Sequence, residues 1–158
     1  MERGCGGHLG KRFDELQVGD KASYTVRVTE QDVLLYMGVS GDLNPLYNDT
    51  TYAGRTKYER PIVPVNLIAG LVAGAISKVL PGRGTVTVSH HYRMVQPACC
   101  SDELTVSIQV VELRDRREEA VLRTEVINVK GETIVAGELV VEPPPKLKQL
   151  QQHVYESF

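Results

Sequence analysis

From Ala22 to Val28 apolar and polar residues alternate, with Tyr24, Val26 and Val28 on one side and Thr25 and Arg27 on the other. That period of two predicts a strand with one buried face. Thr29 followed three residues later by Asp32 approximates a capping box, and Val33, Leu34 and Met37 supply the apolar stripe of a short helix that Gly38 and Gly41 bring to an end. A long loop then runs from Asp42 to about Val63. Pro64 suits the first turn of a second helix, whose large apolar positions are Leu67, Ile68, Leu71, Val72, Ile76, Val79 and Leu80 and which Pro81-Gly82 closes. The positions between them are Ala69, Gly70, Ala73, Gly74, Ala75 and Ser77, so almost no face is charged and the helix is expected to be enclosed on all sides. Asn66 and Ser77 lie within it, and the strand-rich remainder needs something to wrap, which favours a core helix over a membrane span.

Alternating strands follow at roughly Thr85 to Met94, Leu104 to Leu113, Ala120 to Val129 and Thr133 to Val141. The charged run Arg114 to Glu119 reads as a solvated turn and Lys130-Gly131 as a hairpin, so these strands are expected to form an antiparallel meander with one face on the helix. The predicted architecture is α+β, an antiparallel sheet wrapped around one long buried helix, without internal repeats.

Composition narrows this further. At 158 residues the chain suits a single domain, expected over 11–142 between a Gly-rich flexible tail at 1–10 and a tail at 143–158 led by Pro143-Pro144-Pro145. With 42% hydrophobic and 24% charged residues, it is neither disordered nor a disulfide framework. Lys and Arg total 18 against 20 Asp and Glu, a net charge of −2 that supplies no field for nucleic acid or an anionic membrane. Cys5, Cys99 and Cys100 are an odd set without metal or redox spacing, and the first ten residues lack the apolar core of a signal peptide. Both features predict a cytoplasmic protein.

The densest polar segment is Val39-Ser-Gly-Asp42-Leu-Asn44-Pro45-Leu46-Tyr47-Asn-Asp49. As residue types these are turn formers, with Asp42 and Asn44 able to bond nearby amides. The segment precedes a buried helix whose N-terminal amides can receive a developing negative charge.

Here the sequence resembles the MaoC-like dehydratases and (R)-specific enoyl-CoA hydratases, and the likeness covers most of the chain. Arg12-Phe-Asp-Glu-Leu-Gln-Val-Gly-Asp20 and Val28-Thr-Glu-Gln-Asp-Val33 resemble the family's lead-in, and Ser40-Gly-Asp42-Leu-Asn44-Pro45-Leu46 resembles the core of its hydratase motif. Arg60-Pro-Ile-Val-Pro64 is similar to the approach to its central helix, and Tyr92-Arg-Met-Val-Gln-Pro97 with Ser101-Asp102 to the strand and turn that follow.

The resemblance implies a hot-dog fold and syn addition of water to a 2-enoyl thioester, or its reverse, without cofactor or metal. The thioester would be carried by CoA or acyl carrier protein, and the protein would be a homodimer or higher homo-oligomer. The family's Asp falls on Asp42, its His on Tyr47 and its helix-start Gly on Val65. Asp42 would then be the general base, Asn44 would shape the loop, and Tyr47 would occupy the water-holding position. The Val65 main-chain N–H would serve the thioester oxygen, flanked by Pro64 and Asn66 in the substrate site. A phenol with a pKa of about 10 donates to water but is a poor base near neutrality. Thioester hydrolysis and a non-catalytic acyl-binding subunit therefore stand as alternatives, as does Tyr47 as a plug in a vacated pocket.

His90 and His91 should point to opposite faces of their strand, which disfavours chelation; a half-buried strand histidine with an ordinary hydrogen bond is favoured over the alternative that one of them replaces the missing imidazole. Cys99-Cys100 reads as a pair of small turn residues, since no adjacent base is visible. Asp49 and Tyr52 are expected in the loop covering the acyl site, and Lys146 to Phe158 either in a short helix on a neighbouring subunit or in a frayed end.

Overall fold

A computed structural model of the chain describes residues 9–146. Strand β1 (Lys21–Arg27) carries the expected alternation, with Ala22, Tyr24 and Val26 turned inward. Helix α1 (Glu30–Ser40) opens on the predicted box: the Thr29 hydroxyl accepts from the Asp32 amide, and the Asp32 carboxylate accepts from the Thr29 amide at 2.8 Å. Its stripe differs from the expected one. Val33 and Met37 are buried, but Leu34 is 57% exposed because the core reaches only one side of the helix.

The loop expected from Asp42 to Val63 contains a helical turn, α2 (Thr50–Ala53), which Asp49 caps by accepting from the Tyr52 amide at 2.8 Å. Helix α3 (Val65–Val79) follows with Pro64 at its N-cap, one position outside the helical turn expected for it. Ile68, Val72, Ala75 and Ile76 form its buried face.

The remaining strands are β2 (Val86–Met94), β3 (Glu103–Arg114), β4 (Glu119–Asn128) and β5 (Thr133–Glu142). All five strands make one sheet in the order β1-β3-β4-β5-β2, and every pairing is antiparallel. This corrects the expected meander, which holds only for β3-β4-β5. β2 crosses to the far edge and pairs with β5, because the segment 95–102 is committed elsewhere: Val63 N–H donates to the Ala98 carbonyl and Ser101 N–H to the Val28 carbonyl.

Leu104, Val106, Ile108 and Val110 of β3 join Leu122 and Val126 of β4 and Leu139 and Val141 of β5 in the core beneath α3. Gly137 permits the β5-β2 pairing, since a Cβ there would overlap the His91 carbonyl oxygen and crowd Tyr92.

Three further expectations change. α3 is not enclosed: Asn66, Gly70, Ala73 and Ser77 lie exposed along one stripe, and every residue of β2 except Tyr92 is exposed as well. Glu119 is not part of a solvated turn but is 5% exposed, with Arg114 and Arg117 at 3.9 and 3.8 Å. The described parts of the flanking segments lie against the fold: Gly10 N–H donates to the Arg83 carbonyl at 2.9 Å, and Pro143 and Pro144 are buried. Cys5 and most of the segment expected as a C-terminal helix lie outside the described residues. No helix among the described residues is long and apolar enough to cross a membrane.

Two glycines test this packing in opposite directions. Gly137→Ala should lower stability by about 1–3 kcal/mol through the clash with β2. Gly38→Ala, in α1 with open space around it, should raise stability by about 0.5–1 kcal/mol. Urea midpoints read both, and equal stability of Gly137→Ala and the parent would contradict the β5-β2 contact.

Candidate active site

The site begins where α1 ends. The Ser40 hydroxyl donates to the Tyr36 carbonyl at 2.7 Å and accepts from the Asp42 amide at 3.1 Å. Between them Gly41 adopts a left-handed φ of 70° and donates to the Met37 carbonyl at 2.9 Å, closing the helix. The chain therefore doubles back, and the Asp42 carboxylate returns beside the last helical turn. There the Tyr36 phenol donates to Asp42 Oδ2 at 3.3 Å.

Asn44 makes the next turn. Its Oδ1 accepts from the Leu46 amide and its carbonyl from the Tyr47 amide, both at 3.0 Å. Tyr47 is thereby folded back toward Asp42, with its ring edge-on to Tyr36 at 6.5 Å between centroids and 77° between planes.

Burial pushes the Tyr47 phenol above its ordinary range; the negative charge of Asp42, the neighbouring Tyr36 and a hydrogen bond to Asp42 act in the same direction, while the Asn44 side chain opposes them. Near neutral pH the group is an uncharged hydrogen-bond donor. Asp42, Asn44 and Tyr47 are thus brought together.

The start of α3 is tied to this turn through the backbone, since Ile62 N–H donates to the Leu46 carbonyl at 3.0 Å. Pro64 is buried and its carbonyl receives the Leu67 and Ile68 amides, so the Val65 and Asn66 amides precede the first intrahelical donors. They carry the positive end of the helix dipole, worth roughly half an elementary charge. The Asn66 side chain is exposed and lines a different cleft, beneath α3, together with His90 and Tyr92.

Beside Tyr47 opens a cleft of about 450 Å³, bounded by Val33 and Leu34 of α1, by Asn48 and Thr50, and by Arg60, Pro61, Cys99 and Cys100. Its walls are mostly apolar, and its volume falls in the range of about 300–1,000 Å³ usual for small-molecule sites. Burial holds both thiols above their ordinary range, which leaves them protonated and poor nucleophiles.

Asp49 and Tyr52 do not enter the cleft; Asp49 caps α2, and Tyr52 is 48% exposed. His90 stacks on Tyr92 at 5.0 Å and 16°, on the α3 side of the sheet, and both His90 and His91 are exposed rather than half-buried, because β2 is an edge strand. Among the described residues no cluster of three or more His, Cys, Asp or Glu is arranged to hold a metal.

Sequence reasoning missed Tyr36. Its signal was an aromatic on α1 that lies off the buried positions Val33 and Met37, six residues before the motif aspartate.

Comparison with known proteins places these features in a family. A model of the MaoC like domain matches residues 15–131. The (R)-specific enoyl-CoA hydratase of Aeromonas caviae is 35% identical over 129 residues, covering 82% of this chain and 96% of that protein. The 3-hydroxybutyryl-CoA dehydratase of Methylorubrum extorquens is 29% identical, with 85% of each chain covered. Among solved structures, an R-hydratase of Pseudomonas aeruginosa in its unliganded form superposes with a TM-score of 0.79 at 34% identity, over 89% of this chain and 94% of that one. The sheet wrapped on α3 is accordingly a hot-dog fold.

The environment of Tyr47 can be read directly. In a spectrophotometric titration of the folded protein, Tyr47→Phe should remove a component that ionises above the ordinary phenol value of about 10. Asp42→Asn should move that component down, because a negative neighbour is gone. A Tyr47 that ionises at or below the exposed tyrosines would contradict the geometry.

Proposed function

The chain belongs to the MaoC-like domain family, and from that membership we propose that it adds water to a 2-enoyl thioester, or removes it from the 3-hydroxyacyl thioester, with Asp42 and Tyr47 handling the protons. The observation that carries this reading is the pairing of one carboxylate, Asp42, with one neutral phenol, Tyr47, which lines the apolar cleft and sits on a turn tied through Leu46 and Ile62 to the approach of a helix start with free amides.

Asp42 takes a proton from water as the oxygen bonds to the β-carbon. The electron pair of the carbon–carbon double bond moves to the α-carbon and thioester oxygen, where the Val65 amide stabilises the charge. The Tyr47 hydroxyl delivers its proton to the α-carbon. Asp42 then returns its proton to Tyr47 across their contact, so one water is added and both groups end as they began. In this scheme a phenol is a sufficient acid, because the enolate it serves is far more basic than a phenolate.

The cleft beside Tyr47 accepts the acyl thioester of CoA or an acyl carrier protein, and we place the reaction in the cytoplasm, which the free thiols of Cys99 and Cys100 support.

We further read the protein as a homodimer. The exposed Gly70, Ala73 and Ser77 of α3 allow close approach of another backbone, and the adjoining β2 presents Val86, Val88 and Met94 on an edge without a strand partner. The other edge, β1, turns Lys21, Ser23, Thr25 and Arg27 outward and is the less suited to burial. Sedimentation should give a dimer at micromolar concentration, and Gly70→Glu should give a folded monomer; a monomeric parent would overturn this part of the reading.

The reaction is tested with a panel of 2-enoyl-CoA substrates while enone absorbance and free thiol are followed in parallel. Enone loss without thiol is expected. Thiol release would assign a thioesterase, and binding without turnover an acyl-binding subunit. Asp42→Asn should abolish hydration, and Tyr47→His should raise it by about 10-fold by adding a stronger proton-transfer group. An unchanged rate in Asp42→Asn would remove Asp42 from the chemistry.

A further inference from the structure

We propose that Tyr36 is a positioning residue for this reaction, acting through Asp42; the proposal rests on the hydration reading above. Asp42 follows the end of α1 on a turn, where a short side chain has free rotation about two bonds and no covalent reason to keep one orientation beside Tyr47. Among the described residues no Lys, Arg or His lies within ion-pair distance of its carboxylate. Besides its contact with the Tyr47 phenol, the carboxylate is held by Tyr36, which acts on it twice. The Tyr36 carbonyl accepts from the Ser40 hydroxyl, which in turn accepts from the Asp42 amide, fixing the main chain. The Tyr36 phenol donates to Oδ2 at 3.3 Å, fixing the side chain.

The donor is itself well anchored. Tyr36 projects from a capped helix, its ring packs against the core cluster, and its edge-on contact with Tyr47 sets the spacing between the two phenols that flank the carboxylate. With Tyr36 on Oδ2, lone pairs of Oδ1 remain for the attacking water. The 3.3 Å separation is longer than the usual 2.7–2.8 Å for a hydroxyl donor, a length common for catalytic contacts in the absence of substrate. The role matters more here than it would beside an imidazole, because Asp42 is the only base in the scheme and its orientation alone decides whether water is aligned with the β-carbon.

Tyr36→Phe keeps the ring and removes the donor. Expected is a kcat lower by about 10-fold or more with KM unchanged, because the hydroxyl does not touch substrate. In protein labelled with carboxyl-13C aspartate, the Asp42 resonance, identified by its loss in Asp42→Asn, should move in Tyr36→Phe. Parental kcat and KM in Tyr36→Phe, or a rise in KM alone, would overturn the positioning role while leaving hydration intact. A parent with no hydration would overturn the reaction and with it the part given to Tyr36. A resonance that still moves would then show that the contact itself is sound, so the two failures are told apart.

Discussion

The packing of α3 against one face of the sheet is the constraint on which the other features depend. Ile68, Val72 and Ile76 are essentially removed from water, and each contributes about 1.5–3 kcal/mol. This fixes where α3 starts, and the start fixes the site. Val63 is held to Ala98 and Ile62 to Leu46, so the turn that carries Asn44 and Tyr47 hangs from the same backbone that delivers the free amides of Val65 and Asn66. Without the buried face there would be no fixed relation between the carboxylate turn and the helix start.

The polar groups are arranged by short-range bonds on that frame. Ser40, Gly41 and the Tyr36 phenol return Asp42 to the end of α1, and Asn44 returns Tyr47 to Asp42. The outcome is a carboxylate between two phenols in place of the carboxylate and imidazole that the family resemblance implies. An imidazole can serve as either base or acid near neutrality, whereas a half-buried phenol beside a carboxylate can only donate. In the proposed scheme the chemistry is thereby divided, with Asp42 as the base and Tyr47 as the acid.

Much of this was legible in the chain. Strands whose neighbours on one face are buried leave a period of two, and the β1 alternation and the ends of β3, β4 and β5 agree with the sequence reading to within a residue or two. The Thr29-Asp32 box is equally local. The position of β2 was not legible, because pairing across the sheet leaves no local pattern; its only trace is Gly137, a lone glycine inside a strand where another backbone passes close. The open stripe of α3 was hidden because Gly, Ala and Ser suit a crowded core and a bare surface alike. α2 is a single turn held by Asp49, too short for any periodicity. Asp42, Asn44 and Tyr47 were found through the motif, while Tyr36 lies outside it and meets Asp42 only once Gly41 has reversed the chain.

The division of roles between base and acid has its most direct test in the pH dependence of kcat for hydration. Burial and the Asp42 charge raise the Tyr47 pKa, so the protonated acid persists through neutrality and is lost only as pH climbs past that raised value. The account predicts a kcat that is level from about pH 7 to about pH 9 and falls only above about pH 10. A fall centred between about pH 6 and pH 8 would contradict it, because a group other than the Tyr47 phenol would then be supplying the proton.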